Sequence, residues 1–234
     1  MKTKVLYIAC LALIGFGLSS CEKESANKTM VTIYADMQLE GDDYMVIDKG
    51  STYTDPGFSA TVDGKDVSAN VKIIGEVDSS VSGVYTILYT YTNSDGFTSS
   101  LTRIVVVLDP NDAVEGFYTI TPDSYRIYDG GAPVEYGDAY EVLVIGEGDG
   151  VYTVDDLMAG WYALRAGYGS SYAMQGVITI ADDGTIALED SYVPGWGDGA
   201  NALENGKFDA TAGTITYKLT YAEVIEFNVT LVKE

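Results

Sequence analysis

Apolar side chains in this chain recur at every second position, in short runs cut off by turns built on glycine and aspartate. That pattern admits little besides β-structure. The clearest run, residues 84–91, sets Tyr85, Ile87, Tyr89 and Tyr91 on one side, as a strand with one buried face requires. Glycine occurs 26 times and tyrosine 19 times. Tyrosine with threonine and valine favours strands, and glycine with aspartate favours the turns between them. Only residues 154–159 hint at a helical turn.

The strands fall into two sets. In residues 29–109 they are expected at 31–35, 45–47, 71–74, 84–91 and 102–107. Asp55-Pro56-Gly57 and Asp63-Gly64 supply turns between them, with Pro presetting φ and Gly accepting a positive one. Residues 108–112 break the pattern and read as a linker. In residues 112–234 strands are expected at 117–120, 125–128, 140–145, 151–154, 161–166, 176–180, 185–188, 214–221 and 226–232. The fold class is therefore all-β: a β-sandwich followed by a second antiparallel β-domain, either a barrel or a two-sheet sandwich.

The N-terminus is of another kind. Lys2 and Lys4 precede an apolar run, residues 5–18, that ends in Leu18-Ser19-Ser20-Cys21. About 14 apolar residues are too few to span a bilayer as a helix but suit the core of a secretory signal. The closing residues resemble the lipobox of bacterial lipoproteins. That resemblance implies that residues 1–20 are removed, that the Cys21 thiol is acylated, and that the membrane is reached through this anchor. Residues 21–28 then form a polar tether, and the acids after Cys21 resemble the export signal of lipoproteins on the outer face of the Bacteroidetes outer membrane.

The chain has 13 basic and 35 acidic residues, a formal charge of −22. Loss of Lys2 and Lys4 with the leader takes it to −24. So acidic a body is repelled by phosphate backbones, so nucleic acid is not an expected partner. Histidine is absent, and the two cysteines are Cys10 in the leader and Cys21. Histidine-based catalysis, cysteine nucleophiles and the common zinc sites are thereby excluded, and no cofactor is expected.

Two further resemblances concern the domains. Gly50-x-x-Tyr53-x-Asp55-Pro56-Gly57, Gly83-x-Tyr85-x-x-x-Tyr89, Asp95-Gly96 and Arg103-x-Val105-x-Val107 resemble the bacterial surface Ig-like domain, which implies a spacer without a catalytic site. Residues 152–162, 183–188 and 208–217 together resemble a C-terminal domain found after Ig-like domains in Bacteroidetes surface lipoproteins. That family implies an outer-membrane location, facing the exterior, beside glycan-uptake systems of the Sus type.

The residues that invite a binding function lie in the second domain. Trp196 sits in a glycine-flanked stretch with no strand period, Tyr192-Val193-Pro194-Gly195-Trp196-Gly197-Asp198-Gly199. A planar aromatic stacks on the C–H faces of sugars, and Asp198 and Asn201 are candidate acceptors for hydroxyl protons. Tyr168 and Tyr172, in a glycine- and serine-rich loop, are candidates for the same mouth. Trp161 is a further candidate for sugar contact; it and Tyr162 adjoin a predicted strand, so one of them points inward. The acidic glycine turns at 146–150 and 182–184 read as hairpin turns, and no metal site is expected. Glycan binding is the favoured expectation. A subunit docking on an outer-membrane transporter or neighbouring lipoprotein is the alternative, and a carboxylate-dependent glycosidase is a third.

Overall fold

The computed structural model describes residues 32–234. The leader, Cys21 and the tether lie outside the described residues. The strands are β1 Asp36–Leu39, β2 Tyr44–Asp48, β3 Phe58–Val62, β4 Lys65–Asp66, β5 Lys72–Ile74, β6 Gly83–Thr92, β7 Thr98–Leu108, β8 Gly116–Ile120 and β9 Tyr125–Tyr128. They continue with β10 Val134–Glu135, β11 Glu141–Gly148, β12 Val151–Val154, β13 Gln175–Ile180, β14 Thr185–Tyr192, β15 Ala202–Asp209, β16 Thr214–Tyr221 and β17 Ile225–Lys233.

The first seven strands make two sheets, ordered β1-β3-β4 and β2-β7-β6-β5. β6 and β7 pair along their whole length from Gly83↔Val107 to Thr92↔Thr98, and β2 joins β7 in parallel. Between the sheets lies Arg103, fully buried in β7. Its guanidinium pairs with the Asp55 carboxylate and donates to the carbonyls of Glu40 at 2.5 Å, Asp42 at 3.0 Å and Gly57 at 3.2 Å. The Tyr89 hydroxyl donates to the same carboxylate. Burial alone would raise the Asp55 pKa, but hydrogen bonds from Tyr89 and Gly57 and the Arg103 charge hold it below its ordinary value. The motif residues Asp55, Gly57, Tyr89 and Arg103 are thus one buried ionic cluster, with every lone pair they need supplied nearby.

The remaining strands close into an eight-stranded antiparallel barrel, β8-β11-β12-β13-β14-β15-β16-β17, sealed by the pairing of β17 with β8. The second domain is a barrel, not a two-sheet sandwich. β9 and β10 extend the sheet beyond β17. Along β16 and β17 alternate residues point inward: Ile215, Tyr217, Leu219 and Tyr221, then Ile225, Phe227, Val229 and Leu231. With eight strands the interior is just wide enough for side chains to fill, and here they do.

Three expectations shift. The first strand begins at Asp36, and Thr32–Ala35, within the span where it was expected, are irregular. β3, β4, β10 and β15 were not anticipated, although the turn between β3 and β4 falls on Asp63-Gly64, with φ of 50° and 71°. Residues 161–166 form no strand: Trp161–Arg165 are a single π-helical turn.

Sandwich and barrel also touch. Ile104, Val106 and Leu108 on the outer side of β7 meet Leu143, Ile145 and Phe117 on the barrel's outer wall. In the link between them, Asp109 N–H donates to the Glu115 carboxylate at 2.7 Å, and the Asp112 carboxylate accepts from Val114 N–H at 2.7 Å.

Candidate functional site

Asp156 organises one end of the barrel. Its carboxylate accepts three backbone N–H bonds, from Met158, Gly160 and Met174, each at 2.9 Å. An aspartate accepting from N–H groups two and four residues on starts a helical turn as an N-cap does. The bond to Met174 ties in a second segment. Burial pushes the Asp156 pKa up to about 6 against the pull of these donors. The π-turn then closes through Arg165 N–H to Gly160 O at 2.9 Å and Ala166 N–H to Trp161 O at 3.0 Å. Such turns are frequent at functional sites.

The turn sends its two large aromatics to different places. Trp161 is 3% exposed and packs among Tyr136, edge-on at 4.8 Å, and Phe227 at 6.1 Å. As a surface for a sugar it is therefore unavailable, because it belongs to the core. Tyr162 turns outward to meet Trp196 edge-on at 4.8 Å.

Trp196, 39% exposed, is the hub of an aromatic cluster. Its ring stacks on Tyr221 at 5.7 Å and lies edge-on to Tyr172 at 5.0 Å and to Tyr168 at 6.3 Å. Tyr168 is more open still, at 55%. The loop reaches this geometry through glycine: a Cβ on Gly195 would lie 2.6 Å from the Tyr172 ring. The loop is then tied back by Trp196 and Gly197 N–H groups to Val193 O, at 3.1 and 2.8 Å.

The two predicted acceptors separate. The exposed Asp198 carboxylate accepts from the Tyr221 hydroxyl at 2.9 Å, so it borders the cluster and keeps lone pairs for a ligand. Burial, then the bond to Asp198, raise the Tyr221 pKa and keep that hydroxyl a donor. The Asn201 carbonyl instead accepts Glu223 N–H at 2.8 Å, in the turn between β16 and β17, and does not join the aromatic cluster. Tyr221 was missed by sequence reasoning. Its signal was available: it is the last inward position of the alternating 214–221 strand, and such a position opens onto the barrel mouth.

Among the described residues no cluster suited to a metal ion is present. Asp183 accepts Thr185 N–H at 2.8 Å within its own turn. A separate groove of about 330 Å³ runs between β6 of the sandwich and the barrel wall, lined by Val84, Ile145, Asp155, Gln175, Asp190 and Tyr192. Asp155 accepts Leu143 N–H there at 2.9 Å, and burial pushes its pKa up to about 6.

An Ig-like sandwich carrying a C-terminal β-barrel defines a class of bacterial surface protein. Residues 37–107 match the model of the bacterial surface protein Ig-like domain. Residues 107–233 match a family described as "-like, C-terminal domain". The lipoprotein BT2262 from Bacteroides thetaiotaomicron is 33% identical, with a TM-score of 0.71 over 86% of this chain and 100% of that one. The chain belongs to this family of BT2262-like surface lipoproteins. A Clostridium perfringens ZmpB structure holding the M60 catalytic domain with CBM51-1 and CBM51-2 is 13% identical, with a TM-score of 0.28 over 87% of this chain and 24% of that one. That likeness is too slight to carry an argument. No curated protein matches the chain. Neither the two matched families nor the BT2262 lipoprotein is named for a reaction.

Proposed function

We propose that this chain is a non-enzymatic outer-membrane lipoprotein, anchored through Cys21 and facing the cell exterior, whose barrel end binds a poly- or oligosaccharide beside an uptake system. The observation that supports the reading is the aromatic cluster. Trp196 and Tyr168 stay exposed while Tyr162, Tyr172 and Tyr221 hold the indole in place. A fixed, half-open aromatic surface with the Asp198 carboxylate at its edge offers apolar faces for sugar C–H groups and an acceptor for hydroxyls. The test is a glycan screen with the full chain in detergent, followed by Trp196→Ala. A stacked aromatic contributes ~1–2 kcal/mol, so the variant should bind roughly 5- to 30-fold more weakly and stay folded. A bound glycan whose affinity ignores Trp196→Ala would remove this cluster from consideration.

A second reading is supported by the sandwich. Val46, Val84 and Ile74 lie exposed on the same side of the β2-β7-β6-β5 sheet as Val106. This apolar strip beside the inter-domain groove suits docking on a transporter or neighbouring lipoprotein. If no glycan binds, pull-down through this face becomes the leading experiment.

A further inference from the structure

Two arginines cover the buried Trp161 ring. The Arg165 guanidinium carbon lies 4.2 Å from the ring centroid and that of Arg126 lies 4.8 Å from it. Arg126 is directed there by its strand: in β9 it sits opposite Phe227 of β17, whose side chain is in the core. Arg165 is directed there by the π-turn. Its Nε donates to Tyr136 O at 3.0 Å.

Their remaining donors are idle. The Arg126 side chain makes no hydrogen bond to any described residue, and its buried Nε has no partner. Neither arginine forms an ion pair with a described carboxylate; the ion pairs present use Lys49, Arg103 and Lys218. This is a chain with 35 acids against 13 bases, in which a carboxylate partner is the easiest thing to supply. Covering an indole needs no charge at all; leucine or methionine would do it without placing two cations on one ring. Stacked on one ring, the two Cζ atoms are at most 9.0 Å apart, the sum of the two distances. Guanidinium forks on rigid supports are the usual receivers of carboxylate and sulfate groups. The acids elsewhere on the barrel are screened beyond a Debye length of ~8 Å at physiological salt.

The pair adjoins the aromatic cluster. Trp161 and Tyr162 are consecutive in the π-turn, and each ring centroid lies 6.1 Å from that of Phe227. We propose that Arg126 and Arg165 form an anion subsite for the carboxylate or sulfate of an acidic glycan whose neighbouring sugars lie on the Trp196 cluster. The proposal rests on the glycan reading above and names the class of glycan.

The test is calorimetry on the full chain in detergent with two matched pairs of probes: polygalacturonate against its methyl ester, and a sulfated glucan against the unsulfated polymer. The charged member of one pair should bind at least tenfold more tightly, and the pair that shows this names the anion. Arg126→Gln and Arg165→Gln should each reduce that preference about tenfold, leave the uncharged partner within twofold, and be partly rescued by lysine. Because either glutamine variant takes a guanidinium off the Trp161 ring, the native chain gives a second readout. The bound acidic glycan should protect Arg165 from modification by phenylglyoxal. Equal affinity for charged and uncharged members, with binding still sensitive to Trp196→Ala, would overturn the anion subsite and leave the platform standing. A charge preference without protection, or one indifferent to both glutamine variants, would place the anion elsewhere and overturn it too. Failure of all four polymers to bind while another glycan from the screen still binds through Trp196 would overturn the anion subsite alone; failure of every glycan in the screen would remove the platform as well.

Discussion

Asp156→Asn tests how the barrel end is held together. The carboxylate is 6% exposed and accepts from Met158, Gly160 and Met174, so it joins the π-turn to the segment leading into β13. Burial, with a smaller push from the Asp155 charge, raises its pKa to about 6, against ~3.9 for an unfolded aspartate. Between about pH 4 and 6 the folded chain therefore holds more protons than the unfolded one. Stability must fall as pH rises through that window, by up to ~3 kcal/mol for this group. Asp155, raised to about 6 chiefly by burial, has the same sign, and the adjacent carboxyls titrate as a pair. Carboxylates such as Asp55, whose pKa is lowered, work in the opposite sense and lose their contribution only below ~pH 4. Acidification from pH 7.5 to 5 should thus stabilise the barrel. Asparagine keeps the size but turns an NH₂ toward Gly160 N–H, leaving a buried donor unmatched at a cost of ~1–3 kcal/mol. It also removes the charge whose ionisation opposed folding. The variant should be within about 2 kcal/mol of the parent at pH 7.5 and roughly 1–3 kcal/mol less stable at pH 5, with about half the parent's pH slope. Denaturant unfolding followed by tryptophan emission reads the barrel alone, because both tryptophans lie in it. A parent that loses stability between pH 7.5 and 5, or a variant with an unchanged slope, would refute the reasoning.

Cys21→Ala should release the protein from membranes in fractionation and abolish fatty-acid incorporation, because the proposed lipobox makes acyl chains on Cys21 the anchor; continued acylation would sink the lipobox reading. Arg103→Met should destabilise the sandwich by ~3–5 kcal/mol, since it strands the Asp55 carboxylate and three carbonyls; calorimetric melting checks this, and a loss under 1 kcal/mol would show that the cluster rearranges. Fragments 29–109 and 112–234 should each melt cooperatively by far-UV CD, because the contacts of Val106 with Leu143 and Ile145 lie outside the main barrel core; an unfolded fragment would mean that this interface is required.

The fold was legible where the alternation was uninterrupted. β6 and β16 appear within a residue or two of the expected limits: in β16 every outward position is polar, and in β6 the aromatic and aliphatic residues Tyr85, Ile87, Tyr89 and Tyr91 mark one face without a break. β15 was missed because its residues, Ala202–Asp209, carry Glu204, Asn205 and Gly206 in mid-strand. Asn205 has a φ of 56°, and the pairing with β16 shifts register between Glu204 and Lys207, so the alternation is broken by a bulge. A Cβ at Gly206 would meet Ile186 at 2.7 Å, so glycine lets the neighbouring strand approach. The false strand at 161–166 has the converse cause. Its aromatic and aliphatic residues look strand-like, and the turn that leads into it is held by Asp156, five residues upstream, through Gly160 and Met174, which no local pattern connects.

Site and interface were each half-legible for a related reason. Exposure of Trp196 followed from its glycine neighbours, but its ring partners Tyr162, Tyr172 and Tyr221 come from three elements that only barrel closure brings together. Residues 142–145 are four apolar residues in a row where a one-faced strand would alternate. Val142 and Val144 fill the barrel, while Leu143 and Ile145 are buried from outside by Val106. A strand apolar on both faces is a strand with two partners. Each apolar side chain so covered contributes ~1.5–3 kcal/mol when fully buried. Together with the tied link at Asp109, Asp112 and Glu115, this contact braces the sandwich against the barrel. A ligand held at the barrel end would then be presented from the sandwich. That geometry serves either reading of the protein, as a glycan receptor or as a docked subunit, and it explains why the continuous run at 142–145 is tolerated on what would otherwise be an exposed barrel wall.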